Sequence, residues 1–485
     1  MSGAATPAPR RLSTWTTASY GFGSVAYGVK DAGFGTFLLI FYNQVIGLDA
    51  STVGLVIFLA LVCDAFIDPL IGVLSDRTQG RWGRRHPWMY AAAVPIAVGW
   101  LLLWNPPTMG QGGTLIWLFA TAVAVRSAVS CYEVPSQALT PELTSDYDER
   151  TRITSYRYLF GWAGGLTILL LAYGIFLTPS AAHPNGLLNR LGYNHLAIAS
   201  AVIMVIAILA SALGTHHEIA RLPKTKVTSQ TLGDHFRELW ETVRNRGFVI
   251  LMLAGICAYT NQGINYALSN YTYTYIWRFE SWTLRLLPFA LMAGAALAFF
   301  VAPAVGKRTS KPRAAMVFVL SAMVVQTMPY WLRFAGMLPP LGSGALVAAL
   351  LSIYILGTAL SVSSFILGAS MMADVVEDSE ARTGRRSEGV YFAGSFFVQK
   401  CTSGLGIMIV GQLLDLVAFP ANAKPGLVPE TVIDHLTLAY IVIYGILAVA
   451  AAILFTKFPF GRHEHEARLA RMMAAAEAEG TPHAP

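Results

Sequence analysis

The feature that most constrains this chain is its series of long apolar stretches. A helix needs about 20 mostly apolar residues to cross the hydrocarbon core of a membrane, and the sequence contains twelve such stretches. Charged residues make up 13% of the sequence, against roughly 25% in soluble proteins. The sequence therefore predicts an all-α membrane protein with twelve transmembrane helices, which we number as spans in chain order. Their centres lie near residues 33, 63, 96, 125, 165, 204, 262, 295, 323, 355, 402 and 446.

The longest polar interruption, Thr215–Gly247, separates six spans from six. We expect an N-terminal six-helix bundle over 1–214, a cytoplasmic loop over 215–246, a C-terminal six-helix bundle over 247–457 and a cytoplasmic tail over 458–485. Short basic loops follow the second span of each half, "SDRTQGRWGRR" and "GKRTSKPR". Such a faint parallel repeat is typical of membrane proteins that hold a ligand between two bundles.

The basic residues behind the net charge of +7 sit at the ends of spans, and their clusters fall on one side. Loops of the other side, such as "NPPTMGQGG", carry one basic residue or none. By the positive-inside tendency both termini are cytoplasmic, which requires an even number of spans. The charge is a topology signal, so no nucleic-acid partner is expected. The four cysteines lie within spans, where thiols act as small apolar residues, and predict neither a disulfide nor a metal cluster.

Two acids lie inside the second span. An ionised side chain in hydrocarbon costs about 2.5 to 3.5 kcal/mol and needs a partner, a water-filled cavity or a proton. Asp64 and Asp68 are four residues apart and so share one face of the helix. Pro69 has no amide hydrogen, which frees the carbonyl of Ala65. This oxygen-rich spot suits Na⁺ or a shared proton.

Further charged side chains within the spans extend this pattern. Counted inward at about 1.5 Å per residue, most of them occupy one layer, roughly 10 to 22 Å deep, that can balance its own charge. Static ion pairs between helices are the alternative, but such pairs add little stability over apolar packing, which favours a polar cavity. Arg126 either faces a solute or pairs with Glu133. With polar neighbours, the set comprises Tyr27, Lys30 and Asp31 in the first span, Arg126, Ser130 and Glu133 in the fourth, Arg157 in the fifth and Lys400 in the eleventh.

Aromatic and amide side chains are interleaved along the seventh span, "YTNQGINYALSNYTYTYIW". Flat rings beside amides such as those of Asn261 and Asn265 suit a polyhydroxylated ligand. The alternative is that the rings pack against lipid and that Tyr271 to Trp277 form an interfacial belt.

The loop after the second span, "GVLSDRTQGRWGRRHPW", combines an acid with four arginines. Anchoring by positive charge is one interpretation. The spacing resembles the loop between the second and third spans of the major facilitator superfamily, which latches neighbouring helices in one access state. The residues that carry this likeness are Gly72, Asp76, Arg77, Arg84 and Arg85.

Three segments together resemble the glycoside-pentoside-hexuronide:cation symporters, the melibiose permease-like group of the major facilitator superfamily. They are "DAFIDPLIGVLSDRTQGRWGRRHPW", "EVPSQALTPELTSDYDERTRITSYR" and "MADVVEDSEARTGRRSEGVYFAGSFFVQK". The likeness covers essentially the whole chain. It implies twelve helices in two six-helix bundles, alternating access, and symport of a sugar or related solute with Na⁺, H⁺ or Li⁺.

Residue by residue, the resemblance assigns two sites. Asp64 and Asp68 match the family's cation-site acids, and Ser130 replaces a threonine there. Glu133 stands in place of a sugar-binding Asp, and Arg157 matches the fifth-helix arginine of the sugar site. The eleventh-helix lysine of the family is Lys400.

Other positions depart from the family pattern. The first-helix acid aligns with Gly28, while Asp31 lies about one turn further on. A tryptophan that stacks on sugar becomes Gln137, and an asparagine beside the cation site becomes Ile67. These changes argue against melibiose itself and slightly favour H⁺ over Na⁺. Spaced by seven residues, glycines along the first span are expected to let a neighbouring helix approach: Gly21, Gly28 and Gly35.

The expected function is secondary active symport in the inner membrane. Asp64 and Asp68 would take up the coupling ion, H⁺ or Na⁺, and Lys400 would pair with the acids when they are empty. Glu133 and Arg157 would bind the solute, a glycoside, pentoside, hexuronide or similar molecule. We expect no other cofactor, no metal beyond a possible Na⁺, and a monomer in membrane lipid. Further substrate-binding candidates are Tyr27, Asp31, Arg126, Gln137, Asn261 and Asn265.

Two alternatives stand beside this expectation. A vertebrate lysolipid symporter shares the fold and the paired acids, so a lysophospholipid or another amphipath is a second candidate substrate, although the polar seventh span argues against it. A membrane enzyme would show a metal-ligand or nucleophile constellation. The ten histidines lie at span ends, in loops or in the tail and form none, so an enzyme is not expected.

Overall fold

The computed structural model describes residues 11–144, 146–180, 184–221, 243, 245–383 and 388–459. Helix is the dominant structure, and these residues contain no strand. Eleven helices in the described part of the chain are long and apolar enough to cross a membrane. They form the second to the twelfth spans, namely Ala50–Arg77, His86–Trp104, Gln111–Leu143, Tyr147–Leu171, Arg190–His216, Arg246–Tyr271, Ser281–Arg308, Lys311–Phe334, Gly344–Thr383, Glu388–Leu416 and Glu430–Thr456. The fifth and seventh spans continue into the π-helical turns Ala172–Phe176 and Thr272–Ile276.

The first span is helical but is built from shorter pieces. Gly23 separates the first two pieces, and a Cβ at this position would lie 1.6 Å from the hydroxyl oxygen of Tyr132. π-Helical turns, which are rare and frequently mark functional sites, interrupt the rest. The pieces are Thr14–Phe22, Ser24–Ala32, the π-helical turn Gly33–Phe37, Leu38–Ile40 and a second π-helical turn, Phe41–Val45.

Contacts divide the chain into two compact units. Unit 1 takes its described residues from Met1–His235, Gln262–Pro288 and Ser403–Leu436. It therefore contains the first six spans, the ends of the seventh and eleventh spans, and the beginnings of the eighth and twelfth. Inside it, the first span packs on the fifth, the second on the fourth, and the third on the fourth and sixth.

Unit 2 takes its described residues from Phe236–Asn261, Phe289–Thr402 and Thr437–Pro485. Its ninth and tenth spans pack against each other, over an apolar core that includes Phe318 and Met371. The predicted six-helix bundles divide the chain differently, by order along the sequence, and stay a prediction. Most of the predicted loop 215–246 and of the tail 458–485 lies outside the described residues.

The first span approaches its neighbours through glycines, as the sequence predicts. A Cβ at Gly28 would lie 1.9 Å from the carbonyl oxygen of Gly161 in the fifth span. At Gly35 a Cβ would lie 3.0 Å from the ring of Tyr266, and Gly21 also faces the fifth span. Position 28 therefore has no room for a side chain.

A buried polar network joins parts of unit 1 that are far apart in sequence, at the end predicted to face away from the cytoplasm. Tyr271 donates its hydroxyl to Asn43 Oδ1 at 2.8 Å. Gln44 Oε1 accepts the hydroxyl of Tyr275 at 3.1 Å and the backbone N–H of Ala423 at 2.8 Å. The side chains of Asn43 and Gln44 are thus satisfied by the seventh span and by the segment after the eleventh.

The aromatic residues at the end of the seventh span lie inside the protein. Tyr271, Tyr275 and Trp277 are at most 1% exposed. The interpretation of this segment as an interfacial belt facing lipid is therefore wrong. Hydrogen bonds to the first span and packing on Phe419 bury the rings of Tyr271 and Tyr275 instead.

The second span begins with a side-chain cap. Asp49 accepts a hydrogen bond from the backbone N–H of Thr52 at 3.2 Å, which satisfies a donor that has no partner within the helix. Hydrogen bonds hold the pKa of Asp49 below its ordinary value. The largest effect comes from the Thr52 hydroxyl, and Ser51 adds to it. Beside this cap, the backbone N–H of Ser51 donates to Asp415 Oδ2 at 3.1 Å, so the cap also meets the end of the eleventh span.

Candidate functional site

Asp64 of the second span forms a buried ion pair with Arg126 of the fourth. Arg126 donates two hydrogen bonds to Asp64 Oδ2, from Nη2 at 2.7 Å and from Nε at 3.0 Å. Ser130, one turn after Arg126, donates its hydroxyl to Asp64 Oδ1 at 2.9 Å. The side chains of Asp64 and Arg126 are each 3% exposed. Both oxygens of this carboxylate therefore have protein donors.

The pairing of Arg126 decides between the partners that the sequence allows for it. Its N–H groups lie on Asp64, where the sequence left a choice between a solute and Glu133. Its guanidinium carbon is 5.2 Å from the centroid of the Phe34 ring, which adds a cation–π contact. An ion pair between helices is what the structure contains at these two positions.

The first span adds a second group of polar side chains. Lys30 Nζ lies 4.2 Å from the centroid of the Tyr27 ring and 3.9 Å from Asp31 Oδ1. The Lys30 side chain is 3% exposed, whereas that of Asp31 is 50% exposed. Charges close enough to act on the Tyr27 hydroxyl include those of Asp31 and Glu133. This group and the Asp64 pair therefore belong to one charged region of unit 1.

Arg157 of the fifth span lies against the fourth and first spans. Its Nη1 donates to Ser136 Oγ at 2.7 Å, and its guanidinium carbon is 5.1 Å from the centroid of the Tyr20 ring. Tyr20 in turn donates its hydroxyl to the carbonyl oxygen of Ser136. In the same helix as Ser136, Gln137 Nε2 donates to Glu133 Oε1, which lies one turn earlier, at 3.0 Å. A guanidinium with several N–H donors and a carboxylate acceptor are complementary to a molecule with many hydroxyls.

Tyr20 and Ser136 were missed by the sequence reasoning. Tyr20 precedes Tyr27 by seven residues, which places the two rings on one face two turns apart. Ser136 directly follows Pro135 in the same motif as Glu133. Both signals were present, but neither indicates by itself which arginine the side chain contacts.

The remaining predicted site residues are divided between the units. Asp68 and Asn265 are half-buried and lie in unit 1. Lys400, also half-buried, and Asn261 lie in unit 2. Asn261 donates its side-chain amide to the carbonyl oxygen of Tyr444 at 3.2 Å, so part of its hydrogen bonding serves packing on the twelfth span. The binding roles of all these residues stay predictions.

The predicted latch loop is tied to the end of the fourth span. Arg84 Nη2 donates to Glu142 Oε1 at 2.8 Å, and Arg85 Nε donates to the same oxygen at 3.0 Å. Arg85 also pairs with Asp76 and donates from Nη1 to Ser75 Oγ at 2.8 Å. Glu142, which the sequence reasoning missed, is thus the acid that joins both arginines. The other residues of the predicted latch are Gly72 and the exposed Arg77.

No group of three or more His, Cys, Asp or Glu side chains is placed to hold a metal ion in the part of the chain that the structure describes. The histidines near the ends of the third and sixth spans contact hydroxyls and aromatic rings. His86 Nε2, for example, lies 3.0 Å from Thr215 Oγ1, and its ring is 5.8 Å from that of His216.

Comparison with known proteins gives a consistent result. A family model described as "MFS/sugar transport protein" matches residues 19–462. The isoprimeverose transporter of Lactiplantibacillus pentosus is 26% identical over 444 residues, which cover 90% of this chain and 88% of that protein. The sodium-dependent lysophosphatidylcholine symporter 1-A of Danio rerio is 24% identical over 499 residues, which cover 94% of this chain and 88% of that protein.

The inward-open structure of the xylose transporter XylE from E. coli superposes with a TM-score of 0.60. It covers 92% of this chain and 96% of that one, at 14% identity. A likeness at this level of identity concerns the fold alone. Together with the family match, it confirms the expected all-α major facilitator superfamily fold.

Proposed function

From the premise that the chain belongs to the MFS/sugar transport protein family, we propose that it carries a sugar, glycoside or related polar solute across the membrane by alternating access, in symport with a cation. Like these relatives, it is a transporter and not an enzyme. The coupling ion, H⁺ or Na⁺, and the nature of the solute are part of the proposal.

The observation that carries this proposal is the charged region of unit 1. Acids and arginines from four spans, the first, second, fourth and fifth, lie at membrane depth, where an unneeded charge is costly and selected against. Asp31 is half exposed in spite of its position within a span. A half-exposed carboxylate at that depth requires water around it. A polar solute can enter the interior of a transporter only through such water.

Arg157 and Glu133 are the proposed solute ligands. The contacts of Arg157 with Ser136 and Tyr20 fix the plane of its guanidinium, so its other N–H groups have a defined direction. Glu133 accepts a hydrogen bond from Gln137, which orients its carboxylate. Oriented donors and acceptors bind hydroxyl groups without first losing side-chain freedom. Tyr27 and Asp31 extend the site along the first span.

Topology and partners follow the charge pattern. The excess of basic residues in alternate loops supports a multi-pass protein of the inner membrane with both termini in the cytoplasm. The proposed partners are a small solute and membrane lipid, with no nucleic acid, and the proposed unit of function is a monomer. We propose further that Asp68 and Lys400 take part in coupling and that Asn261 and Asn265 contribute to solute binding.

Lysophospholipid transport is the second candidate. Its support is the similarity to the lysophosphatidylcholine symporter along 94% of this chain. An amphipathic solute needs a long apolar surface beside a polar head-group site. The arrangement of Tyr20, Ser136, Arg157, Gln137 and Glu133 suits several hydroxyl groups better than one phosphate, which is why sugars are preferred here.

Uptake into proteoliposomes tests the proposal. Labelled glycosides, pentosides and hexuronides would be offered singly, with sodium and pH gradients imposed separately, and lysophosphatidylcholine would be added as a competitor. We expect saturable uptake of at least one sugar-type solute that empty liposomes lack. Uptake of lysophosphatidylcholine with no sugar uptake would replace the first candidate by the second.

A further inference from the structure

We propose that the positively charged side chain of Arg126 acts as a tethered cation, a cation covalently attached to the chain, and occupies the part of the expected cation site formed by Asp64. Sodium therefore does not bind there and does not drive transport. This inference rests on the proposed transport function. It concerns the identity of the ion, whereas the solute is addressed by the uptake experiment above.

The Asp64 carboxylate has protein donors on both of its oxygens. Its Oδ2 accepts two N–H groups of Arg126, at 2.7 and 3.0 Å, and its Oδ1 accepts the hydroxyl of Ser130 at 2.9 Å. A sodium ion bound to this carboxylate would need the same lone pairs. The oxygens that the family resemblance offers to an ion are therefore already used by donors of the protein.

The charge of Arg126 also disfavours sodium at Asp64. A cation seated on Asp64 would stand next to the guanidinium, at a depth where little water screens the repulsion between the two positive charges. Arg126 and Asp64 are each 3% exposed. The residues present at this position thus do not fit sodium, and Arg126 supplies a positive charge of the kind that an ion would otherwise bring.

Several neighbouring groups hold Arg126 in place. The Phe34 ring lies 5.2 Å from the guanidinium carbon, and the charges that act on Arg126 include Asp31 as well as Asp64. The Ser130 hydroxyl fixes the carboxylate from the other side. Because the guanidinium belongs to the chain, it cannot leave with the solute, and a change in external sodium leaves the charge on Asp64 compensated.

Substitution of Arg126 is expected to uncover a sodium site. In Arg126→Gln the two carboxylates Asp64 and Asp68 and the Ser130 hydroxyl remain on facing helices, without the competing guanidinium. Arg126→Lys is the matched control, because it keeps a tethered positive charge. The double variant Asp64→Asn, Arg126→Gln removes the carboxylate on which a newly bound ion would depend.

Thermal unfolding of the purified protein measures ion binding without reference to transport. Each variant would be melted in 200 mM choline chloride and in 200 mM sodium chloride, so that ionic strength is constant. An ion that binds only the folded state raises Tm. We expect no sodium shift for the wild type and for Arg126→Lys, a rise of about 2 °C or more for Arg126→Gln, and no shift for the double variant.

Three results would overturn the proposal. One is a sodium-dependent rise of Tm in the wild type that Asp64→Asn abolishes. Another is a folded Arg126→Gln protein that shows no rise in sodium. If Arg126→Gln does not fold in either salt, the wild type and Arg126→Lys decide, and a sodium-dependent rise in either would contradict a site filled by a tethered charge.

Solute flux separates this inference from the proposed function. We expect uptake by the wild type to be unchanged when sodium is replaced by potassium on both sides of the membrane. Uptake that needs sodium would contradict the inference that Arg126 excludes sodium from Asp64, but it would still support solute transport. Absence of uptake for every solute would sink the proposed function, while the unfolding experiment would still report on Arg126.

Discussion

Asn270 donates its side-chain amide to the backbone carbonyl oxygen of Thr36 at 2.8 Å, and both residues are buried. Thr36 lies in the π-helical turn Gly33–Phe37 of the first span, where the regular ladder of helical hydrogen bonds is disturbed. The other end of the amide, Oδ1, accepts the hydroxyl of Tyr173 at 2.8 Å. One side chain of the seventh span thus joins the first and fifth spans.

Removal of this amide is expected to loosen the end of unit 1 that is predicted to face away from the cytoplasm. In Asn270→Ala the Thr36 carbonyl and the Tyr173 hydroxyl both lose a buried partner, at a cost of roughly 1 to 3 kcal/mol. Tm should fall, and amide hydrogen exchange should become faster in the first span around residues 36–45. Tyr173→Phe, which removes only one of the two bonds, should show a smaller effect. Equal exchange rates in all three proteins would show that the amide does not hold this end closed.

A second prediction concerns Gly28. A Cβ at this position would lie 1.9 Å from the carbonyl oxygen of Gly161 and 2.7 Å from the backbone nitrogen of Gly165. Because backbone atoms cannot move aside as a flexible side chain can, Gly28→Ala should force the first and fifth spans apart and cost roughly 1 to 3 kcal/mol or more. Thermal unfolding in detergent measures this loss.

The control for Gly28 is another glycine inside a span. Gly368 lies in the tenth span with open space where its Cβ would be. Gly368→Ala should leave Tm unchanged or raise it slightly, because alanine favours a helix. If both alanine variants melt at the wild-type temperature, the close approach of Gly28 to Gly161 is not needed for the fold.

The sequence predicted the elements of the fold better than their mutual contacts. Apolar length located every span, and the spacing of Asp64 and Asp68 placed them on one face. Hydropathy does not fix how each helix is rotated about its axis, so the partner of Arg126 could not be deduced. Tyr271 was assigned to a lipid-facing belt as one alternative, since nothing nearby in sequence reveals that its partner, Asn43, lies 228 positions earlier.

Gly28 illustrates the same limit within the candidate site. Alignment with the family suggested that the first-helix acid was missing, but sequence alone could not say whether Asp31 lies near the other charged residues. The structure places Gly28 against backbone and Asp31 in a half-exposed position. Position along a helix was predictable, whereas which face meets a neighbouring helix depends on packing that only the folded chain defines.

Glu142 provides a third prediction, on the latch loop. Its Oε1 accepts hydrogen bonds from both Arg84 and Arg85. In Glu142→Ala these arginines lose their shared anchor, so trypsin should cut after Arg81 and Arg84 several times faster in inside-out vesicles. Glu430→Ala, which removes an exposed acid at the start of the twelfth span, should not change the rate. Cleavage at the wild-type rate in Glu142→Ala would mean that other contacts hold the loop.

A fourth prediction concerns Arg157. Lysine has a compact ammonium group and cannot both donate to Ser136 and contact the Tyr20 ring as the guanidinium does. Arg157→Lys should therefore raise the solute concentration for half-maximal uptake about tenfold, a loss of about 1.4 kcal/mol, while Tm changes little. Arg333→Lys is a suitable control, because Arg333 also lies over a ring, that of Phe334 at 5.9 Å, in unit 2. A similar loss in both variants would argue against a direct role of Arg157.

The last prediction separates the two acids of the second span. Asp64→Asn and Asp68→Asn should each abolish accumulation of solute against its gradient. Asp68 is the acid proposed to take part in coupling, and Asp64→Asn removes the carboxylate that compensates Arg126 in the same charged region. Asp64→Asn should also lower Tm, since it leaves the Arg126 charge buried without its carboxylate, which costs roughly 3 to 5 kcal/mol. The double variant Asp64→Asn, Arg126→Gln should recover much of that stability, because the Arg126 charge has been removed along with the Asp64 carboxylate. It should not recover accumulation. Thermal unfolding and uptake, measured on the same preparations, give the two readouts. Undiminished accumulation in either single variant would refute the assignment of that acid, and a double variant no more stable than Asp64→Asn would contradict the pairing of Asp64 with Arg126.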